Sequence, residues 1–317
     1  MLILVSDYNL TLTVIKYPFF KDLPMKVLVI SQNSQLYSSS RLLQEAKQLD
    51  LPCRHVNIYE TGHWSELESS DASVVFNRYS GIKYDDFDLQ LCQSWKNQGA
   101  LILNPVDETL TFRDKLSSHI FMNNLEVACS PTRAIRGDIP IELLEDIINF
   151  PKSDCFYEDE YIIKPTRSNK GYGISLCRGF DSLQSQLESY YYLKDQRFII
   201  QPRIKGIREY RLFFVGQNIV GAFEKNGIHQ NEFRLNANRS ECFKIEPRDL
   251  SEGILSFFHE IRRNTNLFYG GIDLIETNDN LFLLEVNPCP GFETLEKVCE
   301  VNVAKELIDH VRNSFSN

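Results

Sequence analysis

A chain of 317 residues with 43% hydrophobic and 24% charged content is long enough for two or three domains with cores of their own. Its 34 basic against 43 acidic residues leave a net charge of −9, which excludes the basic footprint of a general nucleic-acid binder, although one cleft can still carry cations for a phosphate. No segment reaches the about 20 apolar residues of a membrane span, and the eight cysteines, none in a C-x-x-C pair, fit free thiols in a reducing cytoplasm rather than zinc ligands or disulfides.

Residues 1–24 are apolar but interrupted by Asp7 and Asn9. They lack the early positive charge and unbroken apolar core of a signal peptide, and read as an extension or an upstream start ahead of Met25. From there "KVLVIS" predicts a strand, "QNSQLYSS" a polar loop, and "RLLQEAKQLD" a helix from about Ser40. Ser39 or Ser40 is its expected cap, and Leu42, Leu43, Ala46 and Leu49 its apolar face. Strands near "CRHVNIY", "SVVFNR" and "ALILNP", with a helix over 86–97, complete an alternation that predicts a small parallel α/β domain over 25–108. The loop after its first strand has no G-x-G-x-x-G, which argues against a dinucleotide site.

From residue 109 the character changes. A helix over 109–126 carries Arg113, Asp114 and Lys115; a strand near 131–135, an acidic helix over 140–149 and an irregular turn at "PKSDCFYEDE" follow. The remainder is β-rich ("YIIKPT", "GISLC", "RFIIQPRI", "EYRLFFVGQNIVGAF") and closes with a helix over 250–265, a hairpin over 270–287 and a helix over 301–315.

The hairpin "GGIDLIETNDNLFLLEVN" concentrates the chemistry. A three-residue loop of Asn278, Asp279 and Asn280 sets Asp273 opposite Glu285, and strand alternation puts Asn287 on the same face. Ile272, Leu274, Phe282, Leu284 and Val286 fall on the other, apolar face. Facing carboxylates repel unless a cation lies between them, and a set of oxygen ligands without His or Cys suits magnesium. Pro288, Pro290 and Gly291 then end the strand and turn the chain away. The other reading is an amphipathic hairpin whose acids are simply solvated.

Magnesium of this kind needs a phosphate partner. Lys164 stands in a strand before a loop with Gly171 and Gly173, where backbone N–H groups can close on phosphate oxygens; it is not a P-loop. Gln201, Glu209 and Arg211 are polar groups within or beside apolar strands, and Arg234, Asn236 and Arg239 follow at short spacing. The planar fork of arginine suits carboxylate and phosphate.

In this order the motifs resemble the ATP-grasp superfamily, and within it the RimK group of ligases that add glutamate to ribosomal protein tails. The resemblance runs over about 25–315 and is carried by "MKVLVISQNSQLYSSSRLLQEA", "RDKLSS", Lys164 with its Gly loop, Gln201…Glu209…Arg211 and "GGIDLIE…LFLLEVNPCPGFETLEK". It implies α/β plus α+β architecture: an ATP-grasp fold behind an N-terminal parallel α/β domain, with a central subdomain over 109–196 and a C-terminal subdomain over 197–317. It implies ATP and magnesium, or manganese, as a pair of ions on Asp273, Glu285 and Asn287. Lys115 and Lys164 would contact phosphates, with Gly171 and Gly173 in the flap over them. Gln201, Arg203 and Ile204 would hold adenine through their backbone, and Glu209 would accept from the ribose. Arg211 and Arg234 would face the moving phosphoryl group, with Asn236 and Arg239 toward substrate. The sequence departs from the family's usual pattern at Gln201–Pro202 and around 226–241, and the second departure leaves the acceptor open.

The implied reaction is ATP-dependent ligation of a carboxylate to an amine through an acyl-phosphate, with an amino acid or amine as partner and neither nucleic acid nor membrane involved. Two other readings stay open at this point: a kinase that phosphorylates a small-molecule hydroxyl, and a nucleotide-binding regulator without turnover. Cys289 reads as a packing thiol, no histidine pairing at ligand spacing is seen, and a homo-oligomer is neither indicated nor excluded.

Overall fold

The computed structural model describes residues 25–60, 71–80, 85–168, 171–190, 193, 195–226 and 241–316. Arg234, Asn236 and Arg239, together with residues 1–24, lie outside them.

The first layer is the expected parallel sheet. Its strands β1 (Val27–Ile30), β2 (Cys53–Val56), β3 (Val74–Asn77) and β4 (Leu101–Leu103) lie in the order β2-β1-β3-β4, all parallel. Strands β1, β3 and β4 are buried along their whole length because both of their faces are covered, whereas the edge strand β2 is only partly buried. Helix α1 (Tyr37–Gln48) lies on one side, and α2 (Phe87–Asn97) inserts Leu91, Cys92 and Trp95 on the other. Helix α1 begins three residues earlier than the serine caps suggest, with Leu36 at its cap and no side-chain cap bond. Two of its three serines have tertiary partners: Ser39 donates to Ser31 at 2.9 Å, and Ser38 accepts from the Phe292 N–H at 3.4 Å.

The helix expected over 109–126 is two. Helix α3 (Val106–Arg113) stops at Asp114, which is extended (φ −101, ψ 121), and α4 (Lys115–Met122) starts behind it. The Asp114 carboxylate accepts from the Leu116 and Ser117 N–H groups, so a strong N-cap splits what periodicity reads as one helix. Lys115 thus sits at a helix start rather than on a helix face.

The second sheet holds β5 (Arg133–Arg136), β6 (Phe156–Pro165), β7 (Ser175–Arg178) and β8 (Arg197–Ile204) in the order β5-β8-β6-β7. The segment expected to be an irregular turn contributes the first half of β6; an irregularity between Phe156 and Tyr161, with Asp159 at φ 53, hides the alternation there. A short helix α5 (Leu144–Ile148) and α6 (Phe180–Ser189), the latter not expected from the sequence, cover its outer face through Leu144, Leu183 and Leu187.

The third sheet is antiparallel: β9 (Arg208–Val215), β10 (Asn218–Asn226), β11 (Glu241–Ile245), β12 (Tyr269–Glu276) and β13 (Leu281–Asn287), in the order β11-β10-β9-β12-β13. Helix α7 (Glu252–Asn264) packs Ile254, Phe258 and Ile261 onto one face, against Leu212, Phe214, Ile272, Leu274, Leu283 and Val286. The opposite face meets the first layer directly. Phe213, Val215, Phe223 and Tyr269 share one core with Val27, Phe76 and Leu103 and with two helices, α8 (Glu293–Cys299) and α9 (Val303–Ser316). Helix α8 was not expected. Glu300, at φ 57, ends it and permits the turn into α9.

Candidate functional site

The face of the third sheet that is apolar under α8 and α9 becomes charged at its other end. Arg211 on β9 pairs in register with Asp273 on β12, and Asp273 with Glu285 on β13. One row across the sheet therefore carries Arg211, Asp273 and Glu285; Asn287 stands two residues further along β13, and Glu209 two residues from Arg211. The predicted opposition of Asp273 and Glu285 holds, but not by the predicted route. The hairpin closes with Glu276 opposite Leu281, one step from the expected register, and a bulge after Asp273 restores it. The bulge also puts Leu283, not Leu284, into the core beside Leu274.

The cation that the facing carboxylates require comes first from the protein itself. The Arg211 guanidinium grips Asp273 through both Nε and Nη2, and Lys225 on β10 pairs with Glu209 and reaches Asp273 at 3.3 Å. Burial alone would raise the Asp273 pKa, but these two cations outweigh it and hold the carboxyl below its usual range. Glu209, buried as deeply, is pushed up by desolvation although Lys225 pulls the other way. Lys225 is a member of the site that the sequence did not reveal. It stands opposite Glu209 only because a bulge between Ile219 and Gly221 shifts the β9–β10 register. Counting from the Gly216–Gln217 turn gives the neighbouring residue instead.

The second sheet faces this row. Lys164 lies on the side of β6 away from the core of Ile163 and Tyr161, and its amine donates to Gln201 Oε1 at 2.8 Å. Burial and the neighbouring Lys115 bring that amine down to about 8, against the opposing pull of Glu285 and Glu209 across the gap. Lys115, at the start of α4, donates to the Ser168 carbonyl at 2.6 Å and so holds the β6–β7 loop. In that loop Gly171 and Gly173 both take φ 73, a conformation that L side chains rarely adopt. Arg203 turns elsewhere: it pairs with Glu160 at 2.5 Å and lies over the Tyr157 ring at 4.6 Å, which leaves only its backbone for a nucleotide. Ile204, half-buried, ends β8 opposite Phe156.

Glu285 and Asn287 share a pocket with Ser168, Arg113 and Tyr79. No described donor bonds the Glu285 carboxylate, and Asn287 Oδ1 is oriented by the Cys289 N–H at 2.9 Å. Two side-chain oxygen donors on one pocket wall, with Asp273 beside them in register and no thiol or imidazole among them, fit a hard divalent cation such as magnesium. Among the described residues no cluster of three or more His, Cys, Asp or Glu side chains is gathered for a metal. Cys289 is buried and its Sγ donates to the Asn77 carbonyl; all eight cysteines are free thiols. No described helix is long and apolar enough to cross a membrane.

The chain is similar to known proteins over most of its length. Residues 113–311 match the family model of the RimK-like ATP-grasp domain. A probable alpha-L-glutamate ligase of Marinomonas sp. (strain MWYL1) is 24% identical over 308 residues, covering 92% of this chain and 96% of that protein. Among solved structures, a RimK domain protein ATP-grasp from Sphaerobacter thermophilus DSM 20745 superposes with a TM-score of 0.69 at 14% identity over 90% of this chain and 98% of its own. The ATP-grasp ligase PsnB, complexed with a phosphomimetic variant of its minimal precursor, Mg and ADP, gives a TM-score of 0.67 at 13% identity, covering 93% of this chain and 100% of that chain.

Proposed function

The chain belongs to the RimK-like ATP-grasp family, and on that premise we propose that it adds an amino acid such as glutamate to the carboxylate of a peptide, protein tail or small molecule. It is an ATP-dependent carboxylate–amine ligase. The choice of glutamate is supported by the name of the Marinomonas relative. The observation that carries the reading for this chain is the row of Arg211, Asp273 and Glu285 facing Lys164, since it gathers oxygen donors and cations around one gap.

A carboxylate is a poor electrophile, so it must be activated before an amine can attack. In this reading the substrate carboxylate attacks the γ-phosphorus of ATP; the bond to the β,γ-bridging oxygen breaks and ADP leaves. The amine nitrogen then attacks the acyl carbon, the bond to the phosphate oxygen breaks, and the amide forms as phosphate and a proton depart. Lys115 and Lys164 would hold the phosphates, and Arg211 would meet the charge on the phosphoryl group as it moves. Glu209 would receive the ribose, and Gln201 to Ile204 the adenine through their backbone. Arg234, Asn236 and Arg239 remain the proposed contacts to substrate. Asp273, Glu285 and Asn287 are the side chains proposed to hold magnesium, two ions in this reading, which neutralises phosphate charge when bound. The loop from Thr166 to Gly173 would cover the acyl-phosphate and keep water from it. Free thiols throughout agree with a reducing, cytoplasmic setting.

The test is incubation with ATP, magnesium and each amino acid in turn, with cell extract as the source of acceptor. A mass addition matching one amino acid, with phosphate release that needs both partners, is expected. A stable phosphorylated product without amide would overturn the ligation reading.

A further inference from the structure

We propose that Thr132 and His119 are positioning residues for Lys164, acting through Gln201. The inference rests on the reading of Lys164 as a lysine that meets the triphosphate. Neither residue touches that lysine. Four side chains form a chain behind it instead: Lys164 Nζ donates to Gln201 Oε1 at 2.8 Å, Gln201 Nε2 donates to Thr132 Oγ1 at 2.8 Å, and Thr132 Oγ1 lies 3.2 Å from His119 Nδ1. His119 Nε2 in turn lies 2.9 Å from Asn123 Nδ2.

With the Asn123 amide nitrogen turned toward His119, one arrangement of donors and acceptors remains. The Asn123 amide donates, so His119 Nε2 is bare and the ring proton sits on Nδ1. That proton goes to Thr132 Oγ1, which therefore accepts from His119 and Gln201 and spends its own hydrogen on the Ser130 carbonyl at 3.0 Å. The threonine hydroxyl is then fully used, and it can meet only the NH2 end of Gln201. The carbonyl end of Gln201 is thereby forced toward Lys164. A reversed amide would set a donor against the ammonium and leave its oxygen facing a hydroxyl with no hydrogen to give. His119 is buried, and burial together with the Lys164 charge lowers its pKa, which agrees with a neutral ring. The elements that supply the chain are α4, the segment before β5, β6 and β8, so the lysine is braced from three separate stretches of sequence. A long, flexible side chain held this way loses less freedom when a phosphate arrives.

Thr132→Val keeps the shape and removes the hydroxyl. It is expected to weaken binding of a non-hydrolysable ATP analogue, and to raise KM for ATP, by about tenfold, the size of one hydrogen bond to a charged group, with kcat changed less than about twofold. Thr132→Ser should restore both. The effect of Thr132→Val should also disappear in a Lys164→Met background. Nitrogen NMR of His119 should show the Nδ1–H tautomer in the wild-type protein. If Thr132→Val proves unstable, Gln201→Leu breaks the next link and is read the same way. Unchanged affinity in Thr132→Val, an additive effect on top of Lys164→Met, or an Nε2–H tautomer would each overturn the proposal. Unchanged affinity in Lys164→Met alone would instead remove the reading on which it rests.

Discussion

Glu285 and Asp273 face one another across two strands, yet they should respond differently to loss of charge. Glu285 has no described donor on its carboxylate, so Glu285→Gln is expected to leave the melting temperature near that of wild type while abolishing turnover. Asp273 is 4% exposed and carries both Arg211 and Lys225. Asp273→Asn leaves Arg211 without its carboxylate partner in a buried place and Lys225 with Glu209 alone, and a loss of about 3–5 kcal/mol in unfolding free energy is expected from chemical denaturation. The sequence offered these two carboxylates as equals; only their partners separate them. Lys164 gives a third prediction at this scale. Its amine is brought to about 8 by burial and by Lys115, whereas bound phosphate favours the charged form. Affinity for ATP is therefore flat below pH 8 and falls by up to about tenfold per unit above it, with proton uptake on binding in that range. Lys164→Arg, charged throughout, should lose this slope in calorimetric titrations.

Among the elements, β12 shows how glycine serves packing. A Cβ on Gly270 would lie 2.7 Å from the Phe214 ring, and one on Gly271 would lie 3.1 Å from the Pro290 ring. The pair lets the strand pass close to the aromatic core on one side and to the Asn287–Gly291 turn on the other. Gly270→Ala is expected to lower unfolding free energy by about 1–3 kcal/mol, since the ring is fixed by the core around it. Gly253, in the first turn of α7, meets nothing nearer than 3.9 Å, and Gly253→Ala should raise it by about 0.4–1 kcal/mol. Denaturation midpoints of the two variants should therefore move in opposite directions. Two β-bulges do the other decisive work at this scale, one bringing Asp273 opposite Glu285 and one bringing Lys225 opposite Glu209.

Across the whole molecule, the first layer is bound to the hairpin that carries the carboxylates. Asn104, at the end of β4, donates to the Tyr269 and Pro288 carbonyls and accepts from the Phe268 and Tyr269 N–H groups. Arg78 donates to the Tyr269 hydroxyl at 3.0 Å and to the Pro290 carbonyl at 2.7 Å. On the far side Arg41 pairs with Glu296 at 3.0 Å, and Asn302 donates to Glu45 at 2.9 Å. Asn104 is 2% exposed, so Asn104→Leu strands several backbone groups at once. A loss of more than about 3 kcal/mol is expected, read from the melting transition, because each unsatisfied buried group costs about 1–3 kcal/mol. The first layer thus supports the site through its hydrogen bonds as well as through its shared core.

By itself the sequence determined the parallel first layer and the strand–turn–strand carrying Asp273, Glu285 and Asn287, because apolar periodicity and turn residues are local properties of the chain; the reaction class came only through the resemblance of its motifs to the ATP-grasp ligases. It did not show that Asp114 splits a helix, that β6 begins at Phe156, or that α8 follows the turn at Pro288–Gly291, since each depends on a cap or a packing partner that competes with local propensity. Lys225 and the Thr132–His119 brace were decided only in three dimensions. A bulge moves register without leaving a mark in hydrophobic pattern, and hydrogen bonds between residues far apart in the chain form only once the sheets have stacked.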